Sequence, residues 1–329
     1  MRISHISSLI SHISTCVCCM RHLFIINPAA GKKEATAVLE EQLRNLSFDH
    51  EVVYTRGAGD AKRIAAEAAA LGEPVRIYAC GGDGTLNEVV NGAAGHDHVA
   101  VTCVPKGTGN DFLKVFGDDY RTLFYDLEEL AVGPQTPFDV MDCNGHLGID
   151  VVCCGADARI GAGVHKYKNW RFVSGMGAYC LALVEEILIK GLNRPMRVKM
   201  QDIDREGDTA IICICNGRHY GGGFMPVPDA MPDDGVLDML LVPGISLLTF
   251  TKVIGKYAKG RYKELPDLIW ARRGQEVTFT CEGDNVTVVD GEVVPGREFT
   301  VRLSEKKLNF FYPARANYGV KVNIPAETL

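Results

Sequence analysis

The chain contains 329 residues, of which 47% are hydrophobic and 23% are charged, and its formal net charge is -6. This length predicts two domains rather than one. The acidic balance excludes the chain-wide basic field of nucleic-acid binders, so no nucleic-acid partner is expected. The sequence has no apolar run of about 18 residues, so no membrane-spanning helix is predicted, although a local basic patch facing a membrane stays open.

Residues 1–19 are rich in Ser, His and Cys and lack the basic start, apolar run and cleavage site of a signal peptide. We interpret them as a loosely ordered extension, or Met20 as the natural start, and exclude them from the fold argument. The 12 cysteines show no zinc-ribbon spacing. We therefore expect reduced, mostly buried thiols in a cytoplasmic protein.

Strand-like and helix-like segments alternate from Met20 to about residue 117. The predicted strands, each with the helix that follows it, are 22–27 and 34–46, 51–55 and 60–72, 75–80 and 85–94, and 99–104 and 111–117. This alternation predicts a parallel sheet with helices on both faces. Ligands on such sheets bind outside the carboxyl ends of the strands.

The sequence becomes strand-rich after about residue 136. The predicted strands are 138–143, 146–154, 209–216, 236–242, 276–281, 285–290, 299–303 and 309–312. Helical stretches at about 168–190 and 246–260 interrupt them, and Asn144-Gly145 and Asp234-Gly235 are hairpin-like turn signals. We therefore predict an α/β domain over residues 20–136 and a mainly antiparallel β domain over 137–309. The chemistry is expected in the cleft between the two domains.

Three glycine-bearing turns follow strands of the first domain, at 27–32, 81–88 and 105–111. Glycine lets the backbone approach a bulky anion closely, and a helix N-terminus presents N–H groups to the same place. In the second turn, Asp83 can orient a nucleotide-bound Mg²⁺, and Thr85 can cap the helix or bind phosphate. One such turn is most often a plain strand–helix connection, but three at one sheet edge favour phosphate binding.

No standard nucleotide fingerprint fits these turns. The segment Gly31-Lys32-Lys33 lacks the spacing and the Ser/Thr of a P-loop, and no G-x-G-x-x-G motif opens a helix. A dehydrogenase on a Rossmann sheet is therefore disfavoured.

The motifs together resemble the bacterial diacylglycerol kinase family, whose members are soluble lipid kinases related to eukaryotic diacylglycerol, sphingosine and ceramide kinases. The matching segments are NPAAGK (27–32), GGDGTLNEVVNG (81–92), PKGTGNDF (105–112), the stretch 216–242 and VDGE (289–292). The resemblance implies an α/β nucleotide-binding domain followed by an antiparallel β-sandwich domain, with residues 310–329 returning to the first domain. It also implies transfer of the γ-phosphate of ATP to a lipid hydroxyl, with diacylglycerol giving phosphatidic acid.

The resemblance places ATP on a set of residues around the glycine turns. This set comprises Asn27, Gly31, Thr55, Gly81, Gly82, Asp83, Gly84, Thr85, Asn87, Glu88 and Thr108. Their backbone N–H groups, hydroxyls and glycine clearance suit a triphosphate. Asp83 is also a candidate catalytic residue.

The general base is implied to lie in the acidic pair Asp290 and Glu292, with family usage favouring Glu292 slightly. A carboxylate there would accept the proton of the lipid hydroxyl. Taken alone, Asp290-Gly291 is most often a hairpin turn. Which carboxylate acts stays open.

The turn at 231–236 resembles the family's structural Mg²⁺ site, with ligands from the Asp234 carboxylate and the carbonyls of Met231 and Val236. Oxygen-only ligands suit Mg²⁺, so ATP and Mg²⁺ are the expected cofactors. From the residues alone, a hairpin with solvated acids is nearly as plausible.

The lipid substrate implies a protein that works at the bilayer surface. A basic and aromatic cluster is a candidate for this contact, and it consists of Lys166, Lys168, Trp170, Arg171 and Phe172. A solvated helix start is the stronger reading of that cluster alone. Homodimerisation is common among similar proteins, and the sequence neither indicates nor excludes it.

Two positions depart from the family pattern. Asp150 replaces an expected amide and Ala156 an expected aromatic residue, which leaves the identity of the acceptor lipid open. The alternatives are a small-molecule kinase of the NAD kinase type and a non-catalytic nucleotide-binding regulator. The Gly107–Asp111 motif argues against the first, and the intact acids Asp83, Asp290 and Glu292 argue against the second.

Overall fold

The computed structural model describes residues 20–107, 109–168, 181–182, 184–283, 285–316 and 318–319. These residues form two compact units. The first unit contains the described residues up to 107 together with 116–138 and 306–316. The second unit contains 109–115, the described part of 139–305, and 318–319.

The first unit is built on a six-stranded sheet in the order β2-β1-β3-β4-β17-β5. Its strands are β1 (Arg21–Ile26), β2 (Glu51–Tyr54), β3 (Val75–Gly81), β4 (Val99–Pro105), β5 (Gln135–Phe138) and β17 (Leu308–Phe311). All neighbouring pairs are parallel except β17 with β5. β1, β3 and β4 are buried along almost their whole length, as their continuous apolar runs predict.

The predicted helices of this unit are confirmed, with small shifts at their ends. They are α1 (Lys33–Arg44), α2 (Asp60–Ala70) and α3 (Asp83–Ala93). Two short helices that were not predicted follow, α4 (Tyr120–Phe124) and α5 (Leu127–Val132). The segment predicted as helical at 111–117 forms a 3₁₀ helix, Phe112–Phe116.

The chain returns to the first unit over residues 306–316, whereas residues 318–319 belong to the second unit. β17 lies between β4 and β5, and it begins at Leu308 rather than at residue 310. Its Phe310 stacks on Phe116 at 5.7 Å and on Phe138 at 5.3 Å between ring centroids. This aromatic cluster joins three distant segments of the first unit.

The second unit is built on an eleven-stranded antiparallel sheet. Its strands are β6 (Met141–Cys143), β7 (His146–Gly148), β8 (Val151–Gly155), β9 (Arg194–Met200), β10 (Ile203–Cys215), β11 (Leu237–Pro243), β12 (Trp270–Gly274), β13 (Glu276–Cys281), β14 (Thr287–Val289), β15 (Glu292–Val294) and β16 (Glu298–Leu303). The main path runs β15-β14-β8-β10-β9-β13-β16-β6-β7, and β11 pairs with both β10 and β12.

The side chains of β10 alternate between two hydrophobic cores. Ile212 and Ile214 pack with residues of β13 and β16, which makes the sheet curl into the predicted β-sandwich. Ile211 and Cys213 instead pack with α7 (Leu247–Tyr257), the helix predicted at 246–260. This two-sided burial explains the apolar run over residues 209–216.

Several predictions for the second unit were wrong. The segments 138–143 and 146–154 were each predicted as one strand, but each is broken, at 139–140 and at 149–150. The helix predicted from 168 is preceded by an unpredicted one, α6 (Ala156–Lys168), and a π-helical turn spans Val184–Ile189. Residues 169–180 of the predicted helix lie outside the described residues.

The turn signals had different outcomes. Asn144-Gly145 joins β6 to β7 with both residues at positive φ, 51° and 89°, so the hairpin prediction is confirmed. Asp234-Gly235 precedes β11 without joining paired neighbours, so no hairpin forms there.

The eight cysteines in the described part of the chain are buried free thiols, as expected. Within those same residues, no helix is long and apolar enough to cross a membrane.

Candidate active site

The three glycine turns of the first unit begin side by side at one sheet edge. β3 pairs with β1 and with β4, so Cys80 lies opposite Ile26 and Gly81 lies opposite Pro105. All three strands are parallel, so the chain leaves them at the same edge. This is the arrangement that the sequence predicted.

The first and third turns approach so closely that a side chain would not fit. Gly31 has φ +70°, and a Cβ atom there would lie 2.0 Å from the carbonyl oxygen of Lys106. The Gly81 carbonyl accepts hydrogen bonds from the N–H groups of Lys106 and Gly107, at 2.9 and 3.1 Å. The backbone of all three turns is therefore held together by its own contacts.

The second turn leads directly into α3. Gly82 is the N-cap residue of the helix and has no side chain with which to cap it. Thr85 lies inside the helix and is not its N-cap, and its hydroxyl accepts a hydrogen bond from the Asn27 amide at 3.0 Å. A Cβ atom at Gly81 would lie 2.2 Å from that hydroxyl. The first-turn N–H groups lack intrahelical acceptors, and with the helix dipole they favour an anion at this end.

The other residues predicted to contact ATP have different environments. Asp83 and Gly84 are half-buried in the first turn of α3. Thr55 is buried at the end of β2, and its N–H group bonds the Ile26 carbonyl at 2.9 Å. Thr108 lies outside the described residues.

Two residues of the predicted ATP loop make hydrogen bonds elsewhere. The Glu88 carboxylate accepts the N–H groups of Gly59 and Ala61, at 2.8 and 3.0 Å, and so caps the start of α2. Asn87 accepts the Asn91 amide through its carbonyl oxygen and its side-chain oxygen. Glu88 therefore has a structural task that its position in the motif did not indicate.

Lys106 is a candidate that the sequence analysis missed. Its side chain is buried, and its ammonium group donates to the Asn27 carbonyl at 3.1 Å. Burial lowers the pKa of this ammonium group. A lysine directly after a buried strand in a glycine turn was the available signal for a cation at this edge.

In the second unit, Asp290 lies in a hairpin turn and also binds the backbone of a distant segment through its carboxylate. Asp290 and Gly291 have φ 48° and 92° and join β14 to β15. The Asp290 carboxylate accepts three backbone N–H groups, from Ile149 at 2.7 Å, Asp150 at 3.0 Å and Val151 at 2.9 Å. These bonds take the place of strand pairing and explain the break between β7 and β8.

Glu292 differs from Asp290 in its surroundings. It is exposed at the start of β15, and its carboxylate accepts no hydrogen bond from the described residues. Of the two predicted acids, Glu292 is therefore the one with oxygens available to a substrate.

Asp111, from the third glycine motif, contacts the triple-glycine turn at 221–223. Its buried carboxylate accepts the Lys114 ammonium group at 2.5 Å and the Gly222 N–H group at 2.7 Å. Tyr220 and Phe224 close this turn through reciprocal backbone hydrogen bonds of 3.0 and 3.1 Å. The Asp111 carboxylate is therefore the side chain that holds the triple-glycine turn.

Two hydrogen-bonded tyrosine hydroxyls anchor the same turn. The Tyr220 hydroxyl donates to the Asp157 carboxylate at 2.8 Å and lies 3.0 Å from the Tyr257 hydroxyl. Desolvation raises the pKa of Asp157 from 3.8 to about 6, although the Tyr220 hydrogen bond opposes this shift. Asp157 therefore changes its charge near neutral pH.

The predicted Mg²⁺ ligands at 231–236 are engaged with protein groups. One Asp234 oxygen accepts the Val236 N–H group at 3.2 Å, and the other pairs with the Arg273 guanidinium. Arg273 also contacts Asp238 at 3.0 Å. A cation on Asp234 would have to displace Arg273, so the arrangement does not fit a preformed Mg²⁺ site, and the ligand set Met231, Asp234 and Val236 stays a prediction.

The structure shows few contacts for the remaining residues that the sequence singled out. Lys166 and Lys168 belong to α6, but their side chains are not described, and the segment 170–172 with its Trp, Arg and Phe lies outside the described residues. The two departures from the family pattern are buried. The Asp150 carbonyl accepts the N–H groups of Asn216 and Gly217, at 2.9 and 2.8 Å, and Ala156 begins α6.

Known proteins match both units. Residues 21–143 match the diacylglycerol kinase catalytic domain, and residues 150–311 match the YegS C-terminal NAD kinase beta sandwich-like domain. The chain is 30% identical over 295 residues to a probable lipid kinase YegS-like protein of Pseudomonas aeruginosa, covering 87% of this chain and 91% of the relative. It is 26% identical over 287 residues to a diacylglycerol kinase of Bacillus subtilis, covering 83% and 93%.

A solved structure has the same architecture. The crystal structure of a diacylglycerol kinase from Bacillus anthracis superposes with a TM-score of 0.63 at 20% identity, covering 89% of this chain and 96% of that one. At this identity the likeness supports the fold alone.

Replacing Asp157 by Asn should stabilise the protein at pH 8 and have little effect at pH 4. The ionised carboxylate costs stability in the folded state, and this cost disappears as pH falls from about 6 to below 3.8, where the carboxyl is protonated in both states. The shift of about two pKa units corresponds to an effect on the order of 2 to 3 kcal/mol.

The measurement is the free energy of unfolding of both proteins by urea titration at several pH values. Asp267→Asn, at an exposed position in the same unit, is the matched control and should show no such trend. A constant difference between Asp157→Asn and the parent across this pH range would contradict the account.

Proposed function

Because the chain belongs to the family of YegS-like lipid kinases, we propose that it transfers the γ-phosphate of ATP to a hydroxyl of a membrane lipid. Diacylglycerol, giving phosphatidic acid, is the first candidate substrate. The observation that carries the proposal is the close approach of three glycine turns at one sheet edge, next to the start of α3.

Phosphoryl transfer depends on positioning and on neutralising charge rather than on covalent chemistry. The turns at 27–32, 81–84 and 106–107 supply backbone close enough to surround phosphate oxygens. The start of α3 supplies N–H groups, and Lys106 supplies a buried positive charge. These features support ATP as the donor.

Mg²⁺ would neutralise the phosphate oxygens of the bound nucleotide. The described residues contain no cluster of three His, Cys, Asp or Glu side chains suited to a metal ion. This fits an ion that arrives with the nucleotide and keeps several waters, as Mg²⁺ does in kinases. Asp83, half-buried at the start of α3, is the carboxylate we assign to orient it.

The acceptor hydroxyl needs a base, and we assign this role to Glu292. The oxygens of Asp290 are committed to three N–H groups, so taking up a proton there would break existing bonds. Glu292 is exposed and has no such commitment. Asp290 then acts as a positioning residue that shapes the strand break at 149–150.

Glu292→Gln should lower turnover about 100-fold or more while ATP still binds, because an amide cannot accept the hydroxyl proton. Asp290→Asn should lower the free energy of unfolding by about 1 to 3 kcal/mol, because it sets an NH₂ group against backbone donors. Turnover with ATP and lipid, ATP affinity and urea unfolding should be measured for both variants.

Glu282→Gln, an exposed change in the same unit, is the control and should leave all three quantities unchanged. Parental turnover in the Asp290→Asn, Glu292→Gln double variant would contradict any role of this pair in proton transfer.

Gly31→Ala should weaken ATP binding about tenfold or more. The added methyl group clashes with the Lys106 carbonyl, and a positive φ is strained for alanine. Gly57→Ala is the matched control, because a Cβ atom there meets no atom within 4 Å. The dissociation constant of an ATP analogue should be measured by calorimetry, and equal affinities of the two variants would count against a nucleotide at these turns.

The function itself is tested with ATP labelled at the γ-phosphate, Mg²⁺ and a total lipid extract, with NAD offered in a parallel reaction. We expect one labelled lipid that migrates with phosphatidic acid and no labelled NADP. Labelled NADP would favour a small-molecule kinase. ATP binding without any labelled product would favour a non-catalytic regulator.

A further inference from the structure

We propose that four exposed apolar side chains of the second unit, Leu188, Ile189, Leu247 and Leu248, form a patch that inserts into an anionic bilayer surface. We refer to them as the apical patch. The proposal rests on the proposed function, because it names the surface through which the protein would bind the membrane that holds its lipid substrate.

The apical patch contains the two most exposed large apolar side chains in the described part of the chain. Ile189 is 75% exposed and Leu248 is 72% exposed, and each has an exposed leucine beside it in sequence. Single exposed apolar residues are common, but two adjacent pairs on neighbouring segments are typical of an interaction site.

Hydrogen bonds hold the two segments together. The Asn193 amide donates to the Ile245 carbonyl at 3.0 Å, and the Ile245 N–H group donates back to Asn193 at 3.2 Å. Asn193 lies four residues after Ile189, and Ile245 lies two residues before Leu247. The two pairs of apolar side chains therefore lie on the same part of the second unit.

The base of the patch is well packed. Ile187 and Phe250, close in sequence to the exposed residues, are buried in one hydrophobic core of the unit. Ser246 caps α7, with its hydroxyl accepting the Thr249 N–H group at 3.1 Å. Leu247 and Leu248 therefore lie in the first turn of a helix whose start is capped by a side chain.

Helical spacing explains why α7 leaves this face uncovered. Its buried residues Phe250, Val253 and Tyr257 recur at intervals of three and four, which places Leu248 and Lys252 on the opposite face. Lys259, just after the helix, is exposed as well. α7 contains no acidic residue.

The charges favour a lipid surface over a second copy of the chain. Lys252 and Lys259 make no ion pair with any residue that the structure describes, in contrast to Lys256, which pairs with Glu264 at 2.9 Å. Self-association through this face would bring the same lysines together, whereas anionic headgroups neutralise them. Exposed aliphatic side chains beside lysines are the combination that binds at a bilayer interface.

The experiment compares an Ile189→Asp, Leu248→Asp double variant with a matched double variant, Leu71→Asp, Val132→Asp. The control positions lie in the first unit and are similarly exposed, at 60% and 64%. Binding to vesicles of phosphatidylcholine with about 30% phosphatidylglycerol is measured by co-sedimentation. We expect about tenfold weaker binding for the first variant and parental binding for the control.

A second set of assays separates membrane binding from phosphoryl transfer. Both variants are assayed with a short-chain, water-soluble diacylglycerol and with long-chain diacylglycerol in the vesicles. The patch variant should phosphorylate the soluble lipid at the parental rate and the vesicle lipid about tenfold more slowly. Lys252→Glu with Lys259→Glu should reduce the dependence of binding on phosphatidylglycerol.

The outcomes distinguish failure of the patch from failure of the function. Equal vesicle binding by the two double variants overturns the patch, even where lipid phosphorylation stands. Patch-dependent vesicle binding without phosphorylation of any lipid supports the patch and overturns the proposed activity. Self-association of the parent in light scattering that the patch variant loses, with vesicle binding unchanged, overturns the patch in favour of a second copy.

Discussion

The Lys106 carbonyl lies where a side chain at position 31 would have to be, and this close approach shapes the carboxyl edge of the first sheet. It brings the turns after β1 and β4 into contact, and the Gly81 carbonyl ties the turn after β3 to them. The surface at this edge is therefore backbone, with Lys106 as a buried cation beside it. Backbone N–H groups and one cation suit a triphosphate better than a rim of flexible side chains would.

The second unit uses hydrogen-bonded carboxylates to hold its turns. Asp290 accepts three N–H groups at the break between β7 and β8, and Asp111 accepts the Gly222 N–H group of the triple-glycine turn. A carboxylate surrounded by donors shapes the chain but has few lone pairs left for a substrate. The exposed Glu292, two residues after Asp290, is left with its oxygens available. Asp290 therefore holds the turn, and Glu292, which family usage favours slightly, is the acid proposed as the general base.

Much of the fold follows from local patterns. The alternation of buried strands with amphipathic helices predicts the parallel sheet, and Asn144-Gly145 predicts its hairpin because both residues tolerate positive φ. The glycine turns were predicted together at one edge because parallel strands end on the same side. These features depend on neighbours in sequence or on a general rule of topology.

The errors arise where a distant residue decides the local structure. The break at 149–150 depends on Asp290, about 140 positions away, and the local sequence does not identify this partner. The assignment of Glu88 to ATP stays a prediction, and its motif gave no sign that its carboxylate caps α2. α6 was missed because its sequence has two glycines and a weak apolar stripe, while burial of Ala156, Ala158 and Ile160 in the core stabilises it.

The central claim, that the edge formed by residues 27–32, 81–88 and 105–107 binds the triphosphate, is tested most directly by a crystal structure with Mg²⁺ and a non-hydrolysable ATP analogue. The account predicts phosphate oxygens within hydrogen-bonding distance of the first-turn N–H groups of α3, with the Lys106 ammonium group nearby. A nucleotide bound with its phosphates away from this edge would contradict it.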